Sequence, residues 1–117
     1  MKKFLSLSLL FVSLLGPAEG VSVEGGSLGC GKWLSARRSG ASEQYEQYLV
    51  GVVSGLALGR WVDVWNAGGL AVSREQFFYW MDAYCQKNPL SMTITGAVDF
   101  SDERTKGEFK KKARQLR

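Results

Sequence analysis

The sequence contains two cysteines, Cys30 and Cys85, which can form a disulfide bond with each other. The chain has no histidine, so neither a Ser–His–Asp triad nor a Cys–His pair can form, and the usual general base near neutral pH is missing. Two cysteines without histidine also fill no zinc coordination shell. Asp63, Asp82 and Asp99 stand alone, as surface or capping carboxylates do. We therefore expect no enzymatic activity, no cofactor and no metal site.

The N-terminus predicts export. Lys2 and Lys3 precede a nearly unbroken apolar run over residues 4–15, and small residues follow this run. That order is typical of a secretory signal peptide over residues 1–20, cleaved after Ala18 or Gly20. The run is too short to span a bilayer, which takes about 20 residues. We expect a mature chain that is not inserted in the membrane and that resides in a bacterial periplasm.

The compartment determines the state of the cysteines. Disulfides persist where the surroundings are oxidising, and two cysteines leave no odd thiol, so a Cys30–Cys85 bond is predicted. This bond closes a loop of 55 residues. On the chain-entropy model it contributes about 4 kcal/mol, which matters in a domain of this size because its core is small. The alternative is a pair of buried free thiols.

Charge argues against a nucleic-acid partner. The formal net charge of +4 falls by one when Lys2, Lys3 and Glu19 leave with the signal peptide. So small a positive excess does not favour binding to nucleic acid, which an exported chain does not normally meet.

The clearest structural pattern lies at residues 73–87. Ser73 and Gln76 have the spacing of a capping box, which begins a helix. Asn88 and Pro89 end it, and Asn88 is expected to cap a following helix with Pro89 at its first position. One apolar face repeats at helical spacing and consists of Phe77, Trp80, Met81, Tyr84 and Cys85.

Two helices are expected before this one. The first carries Cys30 and Trp33 and ends near Gly40, a residue type that favours a left-handed C-cap. The second covers residues 42–58. Its Gly51 and Gly55 lie four residues apart and cost up to about 1 kcal/mol each in a helix. We therefore expect these glycines to form a groove against which another backbone or a large aromatic side chain packs.

The segment over residues 60–72 is irregular and contains two tryptophans, Trp61 and Trp65. In one interpretation they fold back and cover the core; in the other they form an exposed contact surface of the kind found in binding hot spots. Loops on a rigid scaffold commonly carry recognition. The predicted partner-binding residues are therefore Arg60, Trp61, Asp63, Trp65 and Asn66.

After Pro89 the pattern weakens. A short fourth helix is predicted, with a strand as the alternative, and Ser101 is expected to begin a last helix. The fold class is thus all-α, a single-domain bundle of four to five helices stapled by one disulfide. Its expected organisation is a flexible segment over residues 21–29, a helical domain over 30–100, and a basic C-terminal helix or tail over 101–117 whose charges face solvent.

Three stretches, residues 30–37, 45–55 and 80–90, together resemble the Rap/Tai-type immunity proteins of type VI secretion. The most specific part is the Tyr-Cys-x-x-Asn-Pro-Leu end of the third stretch. The resemblance covers roughly residues 30–98, whereas 60–72 and the tail match no part of the family pattern, so no effector-contacting residue carries over. What it implies is a set of structural positions, namely Cys30, Cys85, Trp33, Gly51, Gly55, Trp80, Tyr84 and Pro89.

The resemblance also implies a function. Members of this family neutralise a toxic effector in the periplasm, in several cases a peptidoglycan amidase, so the expected partner is a secreted toxin or effector protein. Two other functions fit the same small helical single-disulfide design. One is an acid-stress periplasmic chaperone, a holdase of the Hde type, and the other is an exported helical binding module with neither role. The sequence is also compatible with a homodimer.

Export and the disulfide are tested together by mass spectrometry of the periplasmic protein. We expect an N-terminus at Glu19 or Val21, and no thiol that reacts with iodoacetamide in the denatured, unreduced chain. Reduction before alkylation is the matched control and should expose both thiols. A retained leader, or two alkylated cysteines without reduction, would contradict the prediction.

Overall fold

The computed structural model describes residues 28–115, which form five α-helices, one short 3₁₀ turn at Ala67–Gly69 and no strand. The all-α fold predicted from the sequence is confirmed. The expected signal peptide, most of the expected flexible segment, and the last two residues lie outside the described part. In chain order the helices are α1 Cys30–Ser39, α2 Glu43–Arg60, α3 Arg74–Lys87, α4 Thr93–Arg104 and α5 Glu108–Gln115.

Helix α3 begins as its sequence predicts. The Gln76 N–H donates to Ser73 Oγ at 3.1 Å, and the Ser73 N–H donates to Gln76 Oε1 at 2.8 Å, so both halves of the capping box are present. Phe77, Met81 and Cys85 are fully buried on the predicted apolar face. Phe78, which is not part of that predicted face, is buried as well, because Trp33 on α1 lies against it with ring centroids 6.1 Å apart.

Helix α1 is joined to α3 by the Cys30–Cys85 disulfide, with the two Cα atoms 4.9 Å apart. Next to it, the Asp82 carboxylate accepts a hydrogen bond from Trp33 Nε1 at 2.8 Å and from Arg37 Nη2 at 2.9 Å. The hydrogen bond to Asp82 raises the pKa of Arg37. Asp82, which stands alone in the sequence, therefore organises the contact between these two helices.

Aromatic side chains fill the centre of the bundle. Phe77 on α3 and Phe100 on α4 have ring centroids 4.6 Å apart. Trp80 stacks on Tyr84 at 5.5 Å, and the Tyr84 hydroxyl lies 2.9 Å from Ser91 Oγ. From the C-terminal segment, Phe109 is fully buried, so α5 belongs to the core through its inner face.

The predicted start of α4 at Pro89 is wrong. Helix α4 begins at Thr93, because the preceding segment binds the N-terminal chain instead of continuing a helix. The Thr93 N–H and Oγ1 both donate to the Leu28 carbonyl at 3.0 Å, and the Cys30 N–H donates to the Ser91 carbonyl at 2.9 Å.

The prediction that Asn88 caps α4 is wrong as well. The Asn88 N–H and Nδ2 donate to the Tyr84 carbonyl in the last turn of α3. Pro89 is left exposed in the turn between the helices.

The predicted helix start at Ser101 is also wrong. Ser101 is fully buried inside α4, where its Oγ donates to the Ala97 carbonyl at 2.8 Å. The chain reverses at Lys106 and Gly107, which adopt φ angles of 52° and 89°. Thr105 Oγ1 then accepts the Phe109 N–H at 3.1 Å, and α5 starts here instead.

The expected groove at Gly51 and Gly55 does not form. Both glycines are exposed on α2, and a Cβ added at either would meet no atom within 4 Å. The close approach occurs at Gly96 on α4. A Cβ there would lie 2.6 Å from Tyr84 Cδ1 and 2.9 Å from Met81 Cε, so α4 can pack against α3 only because this residue is glycine.

We expect Gly96→Ala to lower the free energy of unfolding by about 1–3 kcal/mol, because its methyl group would force these side chains apart. In the matched variant, Gly51→Ala should raise it by up to about 1 kcal/mol, since alanine is the better helix former and the site is open. Urea denaturation followed by circular dichroism measures both. Equal effects of the two substitutions would contradict this packing.

Candidate partner-binding surface

The predicted partner-binding residues lie in the connecting loop, residues 61–73 between α2 and α3, or next to it. Arg104 on α4 holds this loop and lines the same groove as Val62 and Asp63. The Arg104 guanidinium donates to the carbonyl oxygens of Val64 at 3.3 Å and Trp65 at 3.4 Å, and also to that of Leu70. The loop is therefore fixed by hydrogen bonds to α4 as well as by its two ends. Sequence inspection gave no signal for this role, because Arg104 lies about 40 residues along the chain from its partners.

Trp65 is partly buried and packs against the core. Its Nε1 donates to Ser54 Oγ on α2 at 3.0 Å. Its ring meets Phe77 edge-on at a centroid distance of 5.7 Å and lies 6.3 Å from Phe100. For this tryptophan the interpretation as a cover of the core is the one that the structure supports.

Trp61 lies on the surface, with 86% of its area exposed. It follows α2 in a left-handed conformation, with φ 56° and ψ 43°. The Trp61 N–H donates to the Leu58 carbonyl at 3.2 Å, and the Val62 N–H donates to the Ala57 carbonyl at 3.0 Å. These are the two bonds of a Schellman motif, whose left-handed position is usually glycine. The backbone that carries the exposed indole is consequently well defined.

The Arg60 side chain points toward the core, whereas Trp61 points toward solvent. Its Cζ lies 3.9 Å from the centroid of the Phe109 ring, and its Nη1 is buried without a hydrogen-bond partner among the described residues. Burial lowers the pKa of the Arg60 guanidinium below its usual value. The side chain thus covers the core between α2 and α5 rather than extending from the predicted surface.

Asp63 and Asn66 are both exposed and are close together. Asp63 Oδ1 accepts the Asn66 N–H at 3.0 Å, which closes a turn at the tip of the connecting loop. The second carboxylate oxygen of Asp63 is not used in this turn. Of the five predicted residues, the structure therefore presents Trp61, Asp63 and Asn66 at the surface, and it directs Trp65 and Arg60 inward.

Two grooves flank the connecting loop and share Val62 and Asp63 as a common wall. The first, of about 350 Å³, is bounded by Leu58 and Trp61. The second, of about 560 Å³, has Trp80 and Phe100 among its lining residues. Leu58 is 71% exposed at the edge of the first groove. We call Leu58, Trp61, Val62 and Asp63, with the two grooves, the Trp61 surface.

No helix within residues 28–115 is long and apolar enough to cross a membrane. No group of three or more histidine, cysteine, aspartate or glutamate side chains in this range is arranged to hold a metal ion.

Comparison with known proteins identifies no relative. No protein-family model, no curated protein and no solved structure matches this chain. The resemblance to the immunity proteins therefore stays a prediction.

The different positions of the two tryptophans predict different effects of mutation. Trp65→Ala should lower the free energy of unfolding by about 3–5 kcal/mol, because it opens a cavity and leaves Ser54 without its partner. Trp61→Ala should change it by no more than about 0.5 kcal/mol, as expected for an exposed side chain. Trp61→Gly should raise it by up to about 1 kcal/mol, since glycine adopts the left-handed conformation without steric cost. Denaturant titration distinguishes these outcomes, and a large loss of stability in Trp61→Ala would show that Trp61 supports the core.

Proposed function

We propose that this chain is an exported immunity-type protein that binds and neutralises a secreted toxic effector in the periplasm, and that the Trp61 surface contacts the effector. The observation that carries this proposal is the position of Trp61. A large aromatic side chain is 86% exposed at a backbone position where glycine would be more stable. Folding alone does not account for such a residue, whereas tryptophan is among the residue types most enriched in binding hot spots.

The surroundings of Trp61 also suit a protein partner. Leu58 extends the apolar area, and Asp63 and Asn66 supply polar groups at its margin, an arrangement of apolar centre and polar rim that is common in protein interfaces. The grooves on both sides of the loop offer concave surface into which side chains of a partner can insert. Because Arg104 and the Schellman motif hold the loop, little conformational entropy is lost when it binds.

The disulfide is compatible with the proposed compartment. Such bonds form and persist in secreted and periplasmic proteins and are rare in a reducing cytosol. A small exported domain that must remain folded outside the cytosol benefits from a covalent link between its helices. This supports export and, by itself, does not distinguish an immunity protein from another exported binding protein.

The proposal is tested by using the tagged mature chain to recover secreted proteins of the source organism. We expect one recovered protein to be toxic when directed to the periplasm of a host cell, and co-expression of the exported chain to restore growth. Trp61→Ala should weaken binding to that protein by roughly 30-fold or more, as expected for a central hot spot. Calorimetry or surface plasmon resonance measures the affinity.

Tyr79→Ala is the matched control. Tyr79 is an aromatic residue that is 68% exposed, and its ring lies 6.0 Å from Arg37, on the side of the bundle formed by α1. Its removal should leave affinity and protection unchanged. If Trp61→Ala binds the recovered toxin as tightly as the unmodified chain, the Trp61 surface is not the interface. If the chain binds but does not restore growth, the immunity function is wrong.

A further inference from the structure

The positive charge of this protein is concentrated at its C-terminal end. The ten residues from Lys106 to Gln115 include five basic side chains and one acidic side chain, so their net charge is +4. This equals the formal net charge of the whole chain, which means that all the other residues together are neutral.

Helix α5 presents most of these charges outward. Because the fully buried Phe109 anchors its inner face, Lys110, Lys111 and Arg114 are exposed, as is Lys106 in the turn before the helix. We call these four residues the α5 basic face. Lys110 forms an ion pair with Asp99 at 2.8 Å, which raises the pKa of Lys110. The other three have no ion-pair partner among the described residues.

Local stabilisation accounts for only part of this pattern. Basic residues in the last turn of a helix interact favourably with its dipole, which explains Arg114. The effect is confined to that last turn, so it does not explain Lys106, Lys110 and Lys111 at the start of the helix. Positive charge near the N-terminal end of a helix opposes the dipole. The ion pair with Asp99 accounts for Lys110, so Lys106 and Lys111 are the lysines that call for an explanation outside the helix.

We propose that the α5 basic face docks the protein on an anionic phospholipid membrane surface. Lys106, Lys111 and Arg114 are exposed on α5 and the turn before it, and none has an ion-pair partner among the described residues. These three cations can approach a flat, multivalent anionic surface together, whereas a single small anion would contact only one or two of them. A protein partner fits less well, because the central parts of protein interfaces are enriched in aromatic residues and depleted in lysine. Basic clusters of this kind bind anionic lipid headgroups.

The structure also determines how this docking would occur. Phe109 is buried in the core and cannot insert into lipid, so α5 would lie against the headgroups without penetrating them. Binding of this type is electrostatic, and each basic side chain near the surface strengthens it roughly five-fold. It should therefore weaken steeply as salt screens the charges. This docking involves α5 and not the Trp61 surface, so it goes beyond the proposed function and does not depend on it.

The test is co-sedimentation of the mature chain with phosphatidylcholine vesicles that do or do not contain phosphatidylglycerol. The mature chain is used so that the apolar leader cannot bind the vesicles. We expect binding only to the phosphatidylglycerol vesicles at low salt, and loss of binding at salt on the order of 1 M, where the screening length is about 3 Å. Lys111→Glu combined with Arg114→Glu should weaken binding by at least roughly 25-fold.

The matched control is Lys32→Glu combined with Arg38→Glu, which changes the net charge equally at exposed positions on α1. It should weaken binding much less than the α5 variant does. Equal weakening by the two variants, or equal binding to both kinds of vesicle, overturns the proposal. Inorganic phosphate that competes better than sodium chloride of equal ionic strength would indicate a discrete anion site instead. Binding to polyglutamate without binding to vesicles would indicate an acidic protein partner, and it too overturns the proposal.

Discussion

The link between α1 and α3 is the constraint on which the remaining structure depends. The disulfide fixes one end of α1, and Asp82 holds the middle of that helix through Trp33 and Arg37. Arg37 in turn forms an ion pair with Glu46 on α2 at 2.6 Å, so the same group also positions the second helix. These side chains are only partly exposed, and the carboxylate has a donor on each oxygen. Its hydrogen bonds thus contribute more than an exposed surface ion pair would.

A separate set of contacts organises the connecting loop. Arg104 occupies backbone carbonyl groups of the loop, and the Schellman motif at the end of α2 orients the residue that follows the helix. The two tryptophans of the loop consequently have different environments. Trp65 closes the aromatic core, and this closure supports the backbone from which Trp61 extends into solvent. Core packing and the proposed recognition surface are therefore adjacent, but they rely on different side chains.

Charge is distributed separately from the apolar surface. Leu58 and Trp61 supply exposed apolar area at the end of α2, and the α5 basic face carries the net charge of the chain. Arg60 lies between these regions without belonging to either, because its guanidinium covers Phe109. The protein thus offers two surfaces of different chemistry, each supported by the same small core.

The sequence by itself determined the all-α class, the cysteine pairing and the limits of the central helix, because helical periodicity, the capping box and an even cysteine count depend on residues that are near each other or few in number. It also singled out the loop that contains Trp61. Only the tertiary structure decided which tryptophan of the loop packs against the core, since that depends on Ser54, Phe77 and Phe100, which no local pattern connects to the loop. Contacts between residues far apart in the sequence also explain why three predictions are wrong, namely the N-cap at Asn88, the helix start at Ser101 and the groove at Gly51. Asn88 caps the helix before it because the following segment pairs with Leu28, and the glycine needed for close packing is Gly96, where α3 and α4 meet.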